Sequence, residues 1–179
     1  IACGDSVTDV TIEGNQLFGH GGANRGITTP GSTTSGRISA RYVVVGNQIS
    51  GFQREAIGFG GTHGLYANNN ITLDVDAVAA GLYAIQVGPS GTTAITDNIF
   101  RGNIITDKTG SPTYDWGGII SGRAGGTVAQ YNLIEENVLN SLQGTPIKAN
   151  HSTIKVYRNT RMRTSVSNDL TSATVADND

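Results

Sequence analysis

Charge is scarce in this chain: Asp, Glu, Lys and Arg make up 15% of 179 residues, and the formal net charge is −2. That balance leaves no basic footprint for a phosphate backbone, so nucleic acid is not an expected partner. The single cysteine, Cys3, excludes an internal disulfide framework and any cysteine-based zinc cluster, and it reads as a small core residue. No apolar run approaches the roughly 18 residues of a membrane span, and no signal peptide is evident. Phosphate-binding loops, a Ser-His-Asp motif and His pairs at metal-ligand spacing are also missing, so neither a cofactor nor a metal is expected. The chain opens at Ile1 directly in strand-like sequence, as a piece cut from a longer protein would.

What the chain does have is turn formers, 25 of them Gly, and an internal repeat. Val7-Thr8-Asp9-Val10-Thr11-Ile12-Glu13-Gly14-Asn15-Gln16-Leu17 aligns without gaps on Ile95-Thr96-Asp97-Asn98-Ile99-Phe100-Arg101-Gly102-Asn103-Ile104-Ile105. Weaker copies put anchoring asparagines at 15, 47, 69, 103, 137 and 159, with steps of 32, 22, 34, 34 and 22 residues. Three residues before each anchor stand Ile12, Val44, Tyr66, Phe100, Ile134 and Val156; two residues after stand Leu17, Ile49, Ile71, Ile105, Leu139 and finally Arg161.

These apolar positions alternate with polar ones, the period-2 signal of strands with one buried face. An Asn between two such strands can turn the chain in a left-handed conformation and hydrogen-bond to its equivalents in neighbouring coils. A third strand is expected at Gly26-Ile27, Ala56 to Phe59, Leu82 to Val87, Ile119-Ile120 and Pro146 to Lys148. Three short strands per coil predict an all-β chain, a right-handed parallel β-helix of about six coils. Its coils span 1–159, and 160–179 reads as an irregular last coil, a cap or a linker. With the solenoid ends uncovered, a homotrimer or a place inside a longer chain is expected.

The recurring Gly-Asn-x-Ile turn, the Ala-Ile or Gly-Ile third strand and the variable coil length resemble the pectin-lyase-like right-handed β-helix superfamily. Within it, the irregular coils look most like those of bacteriophage tailspikes, which are trimeric capsule or O-antigen depolymerases. The resemblance implies a polysaccharide as partner and an extracellular or virion-surface location. The Asn-Thr-Asp, Asp-Asp, Gly-His-Gly and Arg-Ile-Lys series of the superfamily's pectate-degrading glycosidases is not matched: Gly19-His20-Gly21 comes first here, and no Asp-Asp pair exists. Those catalytic assignments are therefore not transferred.

Extra residues follow either the second or the third strand of each coil, so the insertions stack on two flanks. The first flank collects His20, Arg25, Arg54, Glu55, Asp74, Asp76, Asp107, Lys108, Tyr114, Asp115 and the only Trp, Trp116. The second holds Arg37, His63 and Arg123 but no carboxylate, and His151 sits at a turn between coils. Glycoside hydrolysis needs two carboxyl groups across the scissile bond, and Asp74, Asp76, Asp107 and Asp115 supply the candidates. A calcium site would have to use Asp74, Asp76 and Asp107. If Leu73 to Asp76 is extended, Asp74 and Asp76 point the same way, with Asp107 and Asp115 one coil above. Trp116 and Tyr114 are candidates for stacking on sugar rings, and Arg54, Glu55, His20 and Arg25 for polar contacts.

Three functions follow from this reading. The first is a glycoside hydrolase that binds and cuts a bacterial surface polysaccharide. The second is a non-catalytic glycan-binding or structural shaft. The third is a polysaccharide lyase with Arg54, Arg25 or Lys108 as base.

Overall fold

The computed structural model describes residues 1–3, 7–22, 24–29, 40–59, 61–87, 95–110, 113–121, 129–149, 153–162 and 174–176. Every element among them is a β-strand. The chain runs through β1 (Thr11–Glu13), β2 (Gln16–Gly22), β3 (Ile27–Thr29), β4 (Val43–Val45), β5 (Gln48–Phe52) and β6 (Ile57–Phe59). It continues through β7 (Leu65–Ala67), β8 (Asn70–Leu73), β9 (Tyr83–Val87), β10 (Ile95–Thr96), β11 (Ile99–Arg101), β12 (Ile104–Asp107) and β13 (Gly117–Ser121). The last are β14 (Ala129–Gln130), β15 (Leu133–Glu135), β16 (Val138–Asn140), β17 (Ile147–Ala149), β18 (Lys155–Tyr157), β19 (Thr160–Met162) and β20 (Thr174–Ala176).

Three parallel sheets result. The first orders β1-β4-β7-β11-β15-β18-β20, the second β2-β5-β8-β12-β16-β19 and the third β3-β6-β9-β13-β17. In each, neighbours in space are successive passes of the chain, so the rest of the coil serves as the crossover that parallel pairing requires. This is a parallel β-solenoid. A narrow fourth column of pairing, Thr8 to Ala40 to Thr62 and then β10 to β14, marks the corner before the first sheet. Within 160–179, β19 extends the second sheet and β20 the first.

The interior consists of three columns. Ile12, Val44, Tyr66, Phe100, Ile134 and Val156 are buried in register, and Tyr66 stacks on Phe100 with ring centroids 5.2 Å apart. Ile49, Ile71, Ile105 and Leu139 form the second column, with Leu17 partly buried at its end. Ile27, Ile57, Ile85, Ile119 and Ile147 form the third, all fully buried. Branched aliphatic side chains suit this pleated, stacked geometry. Cys3 packs against this core, and burial pushes its thiol pKa up.

The corner between the first two sheets is held by an amide ladder. The side-chain Nδ2 of Asn15 donates to Asn47 Oδ1, Asn47 to Asn69, Asn69 to Asn103, Asn103 to Asn137 and Asn137 to Asn159, at 2.8–3.0 Å. Each Oδ1 also accepts the backbone N–H of the preceding ladder Asn, at 3.0–3.1 Å. Each Nδ2 from Asn47 onward donates to a main-chain carbonyl of the core column, as Asn103 does to Tyr66 at 2.8 Å. The asparagines from Asn47 onward are thus buried groups with side-chain oxygen and nitrogen both engaged.

The left-handed residue at this corner is not the anchor Asn, as the sequence suggested, but the residue before it. Gly14, Gly46, Asn68, Gly102, Glu136 and Arg158 have φ between 48° and 67°. The turn has to be made one residue early so that the Asn itself can face inward and stack. A second, shorter ladder joins Asn98 to Asn132 at 3.2 Å on the opposite side of the first sheet.

Candidate functional site

The second sheet feeds into loops of unequal length, and these loops build the flank. β8 stops at Leu73, so the expected extended run to Asp76 does not form. Instead, residues 74–76 tie three successive passes together. Asp74 Oδ1 accepts the backbone N–H of Gly51 at 2.8 Å, stabilising a left-handed Gly whose φ is 74°. Asp76 Oδ2 accepts the N–H of Thr113 at 3.4 Å, and the carbonyl of Val75 accepts the indole N–H of Trp116 at 2.9 Å.

Trp116 is fully buried in the core, so it braces the loops and offers no face to a sugar ring. Asp107 also turns inward, because it lies two residues after Ile105 on β12 and in register with Leu73. It is 6% exposed; Oδ1 accepts the N–H and the hydroxyl of Thr109 at 2.9 and 2.6 Å, while Oδ2 has no protein partner. Two of the four candidate acids, Asp74 and Asp107, are therefore committed to shaping turns.

Asp115 and Tyr114 remain exposed, and both line an open hollow of about 360 Å³. Its other walls come from Leu82, Tyr83 and the loop at Gly144 and Thr145. Gly117 is required there: a Cβ on it would stand 2.4 Å from the Tyr83 ring. Leu82 and Tyr83 were not legible as lining residues, since they read as the start of a strand. Asp76 does not itself line the hollow; it accepts the backbone N–H of Thr113, which does, two residues before Asp115.

The remaining candidates lie elsewhere on the flank. Arg25 and Arg54 line a second hollow, of about 380 Å³, towards the N-terminal passes. Glu55 does not pair with its neighbour Arg54; it is buried at 3% exposure and binds Arg25 of the previous pass at 2.5 Å. His20 is exposed in a left-handed conformation and lines neither hollow. On the other flank His63 is exposed, 3.6 Å from Asp97, while Arg37, Arg123 and His151 fall outside the described residues. Among the described residues no group of three or more His, Cys, Asp or Glu could hold a metal ion, and no helix is long and apolar enough to cross a membrane.

No protein-family model matches the chain, and no curated protein or solved structure matches it either.

Proposed function

We propose that the loop flank binds a polysaccharide, with the hollow around Tyr114 and Asp115 as its main subsite. The observation that carries this reading is the pairing of an exposed Tyr ring with a carboxylate free of hydrogen bonds among the described residues, over an open, partly apolar depression. Sugar rings present apolar faces and hydroxyl edges, and that combination meets both. The reading is in keeping with the resemblance to tailspike-type solenoids and with a glycan of a bacterial surface as ligand. It carries the expectation of an extracellular or virion-surface location and of a homotrimer or a longer chain, which sedimentation of the isolated 179 residues tests.

Cleavage by two carboxyl groups falls to Asp115 and Asp76 in this proposal. Asp115 is uncommitted, and Asp76 has only one long bond; Asp74 and Asp107 are held by short ones. The test is incubation with a panel of capsular and O-antigen polysaccharides, following reducing ends and ultraviolet absorbance together. New reducing ends without absorbance identify hydrolysis, and Asp115→Asn and Asp76→Asn should then each lower the rate at least about a hundredfold. Absorbance from a new double bond identifies a lyase instead. Binding that Tyr114→Ala abolishes, with neither signal, identifies a binding shaft. Absence of binding to every polymer overturns the proposal.

A further inference from the structure

Arg25 and Arg54 share a hollow, and the way they are held differs. Arg25 Nε and Nη2 are engaged by the two carboxylate oxygens of Glu55 at 2.5 and 3.5 Å. Glu55 is 3% exposed, whereas the Arg25 side chain keeps 40% of its surface open. The buried acid therefore clamps one edge of a guanidinium whose other edge stays in water. Arg54, one residue before Glu55, makes no ion pair among the described residues and lines the same hollow with Asn24 and Thr28. Gly58 makes room for the arrangement: a Cβ there would stand 3.2 Å from Arg25 Cδ and 3.3 Å from Glu55 Cβ.

Charge accounting decides what this hollow suits. Among the described side chains Glu55 cancels Arg25 and none cancels Arg54, which leaves one positive charge beside a guanidinium edge with N–H donors to spare. Planar donor forks of this kind match carboxylate, sulfate or phosphate oxygens. We infer that the Arg25–Arg54 hollow is an anion subsite, which takes the charged substituent of an acidic glycan lying along the flank. This rests on the glycan reading above and sharpens it to a substrate class. Arg25 and Arg54 lie beside β3 and β6, and the Tyr114 hollow beside β9 to β17, so the two subsites are one to four strand spacings apart, roughly 5 to 20 Å. A single short oligosaccharide reaches both.

The test has two arms at fixed ionic strength. In the first, arginine-selective ¹⁵N NMR follows the side chains of Arg25 and Arg54 during titration with sodium glucuronate, sodium sulfate and neutral glucose. Both anions should shift both guanidiniums and glucose neither, and Arg54→Gln should weaken anion binding about tenfold or more. Arg25→Gln alone strands the buried Glu55 carboxylate, so the second variant is Arg25→Gln with Glu55→Gln, which keeps the net charge and should weaken binding comparably. Absence of shifts, or wild-type anion affinity in both variants, overturns the subsite.

In the second arm, an acidic polysaccharide, its carboxyl-reduced form and a sulfated neutral polymer are compared. The two charged polymers should bind at least about tenfold more tightly than the reduced form, and Arg54→Gln should erase the difference. Equal binding of all three, still dependent on Tyr114, overturns the anion subsite and leaves the glycan reading intact. Anion shifts without binding of any polymer overturn the glycan reading and support the subsite alone.

Discussion

The Asn corner and the loop flank are built by the same chain at the two ends of the same sheet, yet they spend their polar groups in opposite ways. At the corner, every ladder Asn from 47 to 137 is buried and has both its side-chain oxygen and nitrogen engaged. On the flank, Asp115, Tyr114 and Arg54 stand partly or wholly in water with few or no protein partners. Groups already satisfied by the fold have nothing left to offer a ligand. The corner is thus where stability is stored, and the flank is where recognition can occur.

The strongest way to break that contrast is at the middle of the ladder. Asn103→Ala removes four hydrogen bonds and leaves the buried N–H of Asn69 without its side-chain acceptor. One stranded N–H at about 1–3 kcal/mol and three further lost bonds at about 0.5–1.5 kcal/mol each predict a loss of about 3–7 kcal/mol in urea unfolding. Asp115→Asn, as an exposed substitution, should change stability by less than about 0.5 kcal/mol. A ladder variant as stable as the flank variant would show that the amides are ornamental.

Trp116 sharpens the contrast by crossing it, since it sits within the flank's loops but belongs to the core. Trp116→Ala should cost about 3–5 kcal/mol through the cavity it leaves. It also frees the carbonyl of Val75 and with it the brace on Asp76. Glycan affinity should fall with stability in this variant, whereas Asp115→Asn should lower binding or turnover alone.

How much of this could be read in the sequence differs between the two regions for a physical reason. The core columns and the ladder repeat in every coil, so apolar alternation around each Asn was enough to place them. The left-handed position was visible as Gly at 14, 46 and 102, but Asn68, Glu136 and Arg158 in the same place disguised it. Loop residues do not repeat, and their directions depend on partners far along the chain. Glu55 reaches back 30 residues to Arg25, and Trp116 reaches back 41 to Val75. Asp107 is the exception: strict alternation after Ile105 places it on the inward face, a signal carried by the sequence itself.

A smaller effect is expected where the corner meets steric limits. Gly102 has φ 63°, and a Cβ on it would stand 2.5 Å from Asn68 Oδ1. Gly102→Ala should cost about 1–2 kcal/mol from left-handed strain, with any further loss coming from displacement of Asn68. Gly14→Ala shares the conformation but has open space around it, so it should cost the strain alone. Equal losses in the two variants would mean that Asn68 simply swings aside.

The smallest effect comes from Asp9 and Arg41 at the corner before the first sheet, a pair that stands in water rather than in the core. Arg41 binds the Asp9 carboxylate at 2.5 and 2.7 Å and holds its pKa down to about 2. A carboxyl whose folded pKa lies below its unfolded value of about 3.8 contributes stability that is complete above that value. The contribution is lost as pH falls towards 2, and because both side chains face water, salt should screen most of it. Arg41→Gln should return Asp9 to the ordinary carboxylate range in an NMR titration and remove this part of the acid dependence below about pH 4. An Asp9 pKa that stays near 2 in that variant would assign the depression to the Thr8 hydroxyl, the second contributor, and make the ion pair incidental. Either result separates a polar group paired in water from the ladder amides paired in the core, whose substitution should matter equally across this pH range because an amide does not titrate.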